Sequence, residues 1–94
     1  MARQDRVGSH KTSIRSEGSA IIVRYHWTDV VKFTPKTITL NTGGHFTNTT
    51  KTRMNQASNQ YGLGYYVQQK NYDWFVHYKG RTIPFKGNSV SFRR

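Results

Sequence analysis

The residues with chemical potential in this chain gather in one segment, LNTGGHFTNTTKTR, from Leu40 to Arg53. Gly43 and Gly44 precede three threonines, Thr47, Thr49 and Thr50, and then two cations, Lys51 and Arg53. Backbone N–H groups at a helix start, hydroxyls and cations together make an anion site. The segment lacks the GxxxxGK[ST] pattern of a nucleotide-hydrolysing loop. His26 and His45 are weak candidates for catalysis. With Lys51 and Arg53 they supply the group types of metal-independent phosphodiester cleavage, an acid and a base beside a cation. His26-x-x-Asp29 with His45 has the group types of a metal site, but the spacing is not diagnostic, and no metal or cofactor is expected. Four acids in all are too few for a two-metal carboxylate nuclease.

Lys and Arg number 15 against those 4 acids, a net charge of +11 in 94 residues. Such an excess draws polyanions at long range. Nucleic acid is the leading partner, and an anionic membrane surface or an acidic host protein is the runner-up that the charge fits. Rings alternate with cations late in the chain: Tyr65, Tyr66, Tyr72, Trp74, Phe75, Tyr78 and Phe85 sit among Lys70, Lys79, Arg81 and Lys86. An exposed ring beside a cation is a stacking platform for unpaired bases. The candidate anion-binding or nucleic-acid-binding set is Gly43, Gly44, Thr47, Thr49, Thr50, Lys51, Arg53, Gln56, Lys70, Lys79 and Arg81. There is no cysteine, which excludes a disulfide scaffold, a thiol nucleophile and a Cys-ligated zinc. The first residues carry no apolar signal core, and no stretch approaches the ~20 apolar residues of a membrane helix, so no membrane partner is expected.

The elements that must position these groups follow from periodicity. Residues 1–18 are polar and basic and read as a flexible N-terminal arm; residues 19–94 read as a single domain. AIIVRYH alternates as a strand, and DVVKF continues it after a bend or bulge near Trp27 and Thr28. TPK is a turn, and TITLN alternates cleanly. Thr47 or Thr49 caps the one helix, and Gly62 or Gly64 ends it. Thr50, Met54, Ala57 and Tyr61 form its inward stripe. Thr52, Arg53, Gln56, Asn59 and Gln60 then face outward, where amides and Arg53 could read base edges. YYVQQK, DWFVHY, RTIPF and SVSFRR form a meander joined by Asn, Asp and Gly turns, and Pro84 puts its strand at an edge. Trp74, Val76 and Tyr78 share one face, Phe75 and His77 the other. The expected fold is α+β: a small curled antiparallel sheet of five to six strands with one helix, in the order ββ-α-βββ(β).

Two motifs carry a resemblance. His26, Thr28, Val30 and Val31 fit H-x-T-x-V-V. Asn41, Gly43, Gly44, Thr47, Thr49, Thr50, Lys51, Arg53 and Asn55 fit N-[ST]-G-G-x-x-T-x-T-T-K-x-R-hydrophobic-N. With the closing DWFVHY and IPFKGNSV, the chain resembles, over residues 19–92, a family of small bacteriophage-encoded proteins of unassigned activity. His45 and Trp27 depart from that pattern, which has Trp and a small or polar residue there. The resemblance implies a phage origin and the cytoplasm of the bacterial host.

Three functions fit these residues. The first is a sequence-tolerant DNA- or RNA-binding protein, with Lys and Arg on phosphates and rings or amides on bases. The second is a small metal-independent nuclease-like enzyme using His, Lys and Arg, and it requires those side chains to converge. The third is a host-takeover protein that binds an acidic bacterial protein.

Overall fold

A computed structural model describes residues 11–44, 46–85 and 87–94. Four strands come first: β1 (Thr12–Glu17), β2 (Ala20–Tyr25), β3 (Thr28–Phe33) and β4 (Thr37–Asn41). The helix α1 (Asn48–Tyr61) follows, then β5 (Tyr65–Lys70), β6 (Asp73–Tyr78), β7 (Arg81–Pro84) and β8 (Ser89–Arg93). The class is α+β, with one helix and antiparallel pairing throughout, as the sequence implies. The strands divide into two sheets, β1-β2-β3-β4-β8 and β5-β6-β7, where a single sheet of five to six strands was expected. Pro84 lies in edge strand β7 and has no N–H to offer a further strand, although the Phe85 N–H still donates to the Trp74 carbonyl at 3.1 Å, and β8 pairs with β4. Residues 12–17, assigned above to the arm, form β1 and pair along their whole length with β2. Residues 1–10 of that arm lie outside the described residues.

Strand parity builds the core. Val23, Val31, Phe33, Ile38, Leu40, Val90 and Phe92 cover the inner face of the larger sheet. Tyr65, Val67, Trp74, Val76 and Tyr78 cover that of the smaller one. The helix lies between them, with Met54 and Ala57 fully buried. A large apolar side chain buried this completely contributes about 1.5–3 kcal/mol. Val23 pairs with Val31 while Arg24 pairs with Asp29, so Val30 is a bulged extra residue, and both valines join the core. The irregularity expected at Trp27 is instead a two-residue hairpin loop, His26-Trp27, with Tyr25 opposite Thr28 and His26 at φ 56°.

The helix has the expected ends. Thr47 is the N-cap, its hydroxyl accepting from the Thr50 N–H at 3.2 Å, and Gly62 closes the helix at φ 62°. Its polar interior has a use that periodicity does not reveal. The Asn55 side chain donates to the Val67 carbonyl at 3.0 Å and accepts from the Val67 N–H at 2.7 Å. The Ser58 hydroxyl does the same for Tyr65, donating to its carbonyl at 2.7 Å and accepting from its N–H at 3.0 Å. Two helical side chains thus complete the open edge of β5 as a neighbouring strand would, and they cover an edge that would otherwise invite pairing. The phenol of Tyr65 donates to the Met54 carbonyl, and its burial pushes its pKa far up.

Candidate functional site

Arg53 and Gln56 are not on an outward face. They are 7% and 1% exposed. The helix is flanked by β2 and β3 on one side and β5 on the other, so its buried sector is wider than one stripe. The Arg53 Nε donates to Thr12 Oγ1 at 3.0 Å, and a terminal nitrogen donates to Gln56 Oε1 at 3.1 Å. Its guanidinium lies 5.6 Å over the Tyr25 ring. No ion pair among the described residues includes it. A buried guanidinium with no carboxylate beside it among the described residues puts positive potential beneath this end of the molecule.

Gly43 acts by shape, whereas a Cβ on Gly44 would meet only Asn88, at 4.0 Å. The N–H groups of both glycines, expected to face an anion, already donate to Asn41 Oδ1 at 2.9 Å and Thr42 Oγ1 at 3.2 Å. A Cβ on Gly43 would fall 2.8 Å from Thr28 Cγ2 and closer still to its hydroxyl, and the residue has φ +63°. Only glycine lets the loop after β4 press against the β2–β3 hairpin. That contact forms one wall of a cleft of about 330 Å³. Tyr25, Trp27, Thr28 and Val30 line it from the hairpin, with Thr42 from the loop and Thr47 and Thr50 from the helix start. His26 stands at its rim, exposed, its N–H bonded to the Lys11 carbonyl at 2.8 Å.

Three of the four large exposed rings among the described residues stand at this end of the molecule, and Tyr66 is the fourth, elsewhere. Trp27, at the hairpin tip, is 91% exposed, and Phe46, just before the N-cap, is 45% exposed. The helix and β5 run antiparallel, as the Asn55–Val67 and Ser58–Tyr65 bonds require. Lys70 and the next loop, Asn71-Tyr72, therefore come level with the helix start. Phe46 meets Trp74 edge-on at 5.3 Å, and the Lys51 ammonium lies 6.0 Å from the Trp74 ring, which fixes the same end. Tyr72 is 93% exposed and sits at φ 70°, the second residue of the two-residue hairpin loop Asn71-Tyr72, whose turn needs a positive φ at both positions. Trp27 and Phe46 were absent from the candidate set. A Trp inside a two-residue hairpin loop is the signal that would have found the first.

The remaining candidates separate. Thr47, Thr49, Thr50, Lys51 and Lys70 are at this end. Lys79, whose ammonium is 5.3 Å from the Tyr78 ring, and Arg81 flank the β6–β7 turn, about 17 Å away at the far end of the smaller sheet. His45 and Lys86 lie outside the described residues. Lys51 lines a second groove, with Asn55 and Tyr66, rather than the cleft beside His26. Of the described members of the proposed cleavage set, His26 and Arg53 both meet the Tyr25 ring, at 4.4 and 5.6 Å, while Lys51 lies at the second groove. Asp29 is not a partner of His26: it accepts from Arg15 at 3.1 and 3.2 Å and from Arg24 at 3.0 Å, and the Arg15 bond leads in holding its pKa below the usual carboxylate value. No three metal-binding side chains cluster among the described residues. On the outer face of the smaller sheet, His77 bonds Gln68 at 2.6 Å and Thr82 at 3.2 Å beneath the exposed Tyr66.

Fold and site together define a small basic α+β protein, one helix held between two antiparallel sheets, with a ring-bearing cleft at one end. The chain belongs to the Kyanoviridae Gp96 protein family, a phage family whose model matches residues 1–91. No curated protein and no solved structure matches it. No helix among the described residues is long and apolar enough to cross a membrane.

Proposed function

We propose that this phage protein binds nucleic acid through the end that carries Trp27, Phe46 and Tyr72. The observation behind this reading is the gathering of three exposed rings at the helix start of a chain with net charge +11. Rings supply stacking surfaces that accept any base, and cations supply phosphate contacts. Lys11, Lys51 and Lys70 surround the rings, and the buried Arg53 adds charge from below. Thr47, Thr49 and Thr50 contribute hydroxyls, and Gly43 and Gly44 shape the wall. In the cytoplasm of an infected host, both DNA and RNA are within reach of such a surface.

Electrophoretic mobility and fluorescence anisotropy with random single and double strands test the reading. Binding is expected at low salt, with log K falling linearly as log salt rises. Absence of binding to every strand at low salt overturns it. Retention of an acidic protein from nuclease-treated lysate, with no strand bound, would assign the charge to a protein partner instead.

A further inference from the structure

The geometry points to a more specific role for the cleft: it receives one unstacked nucleobase of a single strand, with Trp27 as the stacking lid. This rests on the nucleic-acid reading and adds the chemistry of the ligand. The cleft's volume of about 330 Å³ is at the small end for ligand pockets, which run from about 300 to 1,000 Å³. It suits one planar group and excludes a duplex. None of its described lining residues carries a fixed charge. Among these described residues a phosphate meets no lysine or arginine, and Lys51 stands outside at a separate groove, where a backbone would run.

The lining is a ring, an apolar floor and hydroxyls. Val30 and the Tyr25 ring, which carries the Arg53 guanidinium over it at 5.6 Å, supply apolar surface. Thr42 and Thr50 are each 1% exposed, yet both border the cleft, so two nearly buried hydroxyl-bearing side chains stand at its wall. Thr42 Oγ1 accepts from the Gly44 N–H, which leaves its own O–H to donate. Thr47 and Thr50 share a single hydroxyl–hydroxyl bond at 3.1 Å, so one of their two O–H groups remains unspent. Two O–H donors and several lone pairs satisfy the edge of any base, because a hydroxyl donates or accepts as needed. A free ring edge exists only when a base is splayed from its strand. Trp27 borders the cleft while remaining almost wholly exposed, an arrangement a stacking partner would complete.

Intrinsic fluorescence reads this directly, because Trp74 is buried at 3% exposure and Trp27 is the only other tryptophan. The full chain is titrated with a thymidine oligonucleotide, an abasic sugar-phosphate strand of equal length, a duplex, and thymidine monophosphate. The expected result is quenching of Trp27 by the base-bearing strand and not by the abasic one. The base-bearing strand is also expected to bind roughly five- to a hundredfold tighter, the size of one base–ring stack. Trp27→Ala removes that difference while leaving the abasic affinity unchanged, and Trp27→Phe restores part of it. Thr42→Val, monitored by circular dichroism for folding, lowers affinity for the base-bearing strand alone.

Equal affinity for base-bearing and abasic strands overturns the base pocket and leaves the nucleic-acid reading standing. Duplex binding as tight as single-strand binding, without quenching, does the same. Quenching by thymidine monophosphate without binding of any strand keeps the pocket and overturns the strand reading. No response to any of the four overturns both.

Discussion

Gly43 has the least freedom of any residue at this end, because two independent demands fall on it. Its φ of +63° strains any side chain, and a Cβ there would collide with Thr28. Gly62 has a similar φ but open space around it. Gly62→Ala is therefore expected to cost about 1 kcal/mol, and Gly43→Ala about 2 kcal/mol or more, by urea denaturation. Adding Thr28→Ala to Gly43→Ala recovers the steric part and leaves the conformational part, which a double-mutant cycle separates. Asp29 offers a test in pH. Its carboxylate is held by Arg15 and Arg24, and its folded pKa lies below its unfolded value. The stability it contributes is complete above an unfolded pKa of about 4 and is lost as pH falls through the lower folded value. The melting temperatures of the native chain and of Asp29→Asn are expected to differ at neutral pH, less so in high salt, and to converge in acid.

At the scale of elements, the helix is held as much by side-chain bonds to β5 as by its apolar stripe. Asn55 is 9% exposed and serves both backbone groups of Val67. Replacing it with alanine leaves a buried N–H and a buried carbonyl without partners, at about 1–3 kcal/mol for each. Asn55→Ala is expected to destabilise by roughly 2–4 kcal/mol and to raise hydrogen exchange at the Val67 amide before the rest of the sheet opens. Thr47→Ala removes only the cap and is expected to cost about 1 kcal/mol. If both variants lose the same small amount, the bonds to β5 are not holding the helix.

For the whole molecule, the distribution of charge decides more than its sum. Lys51 and Lys70 are at the ring-bearing end, whereas Lys79 and Arg81 are at the other end of the smaller sheet. The pairs Lys51→Gln with Lys70→Gln and Lys79→Gln with Arg81→Gln lower the net charge equally. Binding confined to one end predicts that only the first pair weakens affinity strongly, with the salt slope reduced by about 1 for each phosphate left without its cation. Equal losses from both pairs would mean that the strand is attracted by charge alone and has no seat on the protein.

Much of this architecture was legible in the residues. The stripe Thr50, Met54, Ala57 and Tyr61, the cap at Thr47, the stop at Gly62 and the edge position of Pro84 all follow from local periodicity and backbone preference, which act within a few residues. The basic charge and its draw on polyanions need no structure at all. What the fold alone decided depends on neighbours far apart in the chain. A polar helical face reads as wet until a second sheet covers it, and β5 is what buries Asn55 and Ser58, while β1 and β2 enclose Arg53. The two glycines resemble an anion cradle until their N–H groups are seen bonded to Asn41 and Thr42 and Thr28 is seen against Gly43. Trp27, Phe46 and Tyr72 look like core material in a chain short of aliphatics. Trp27 and Tyr72 stand at the tips of two hairpins and Phe46 just before the helix, and the fold leaves all three in water because the core is already closed without them.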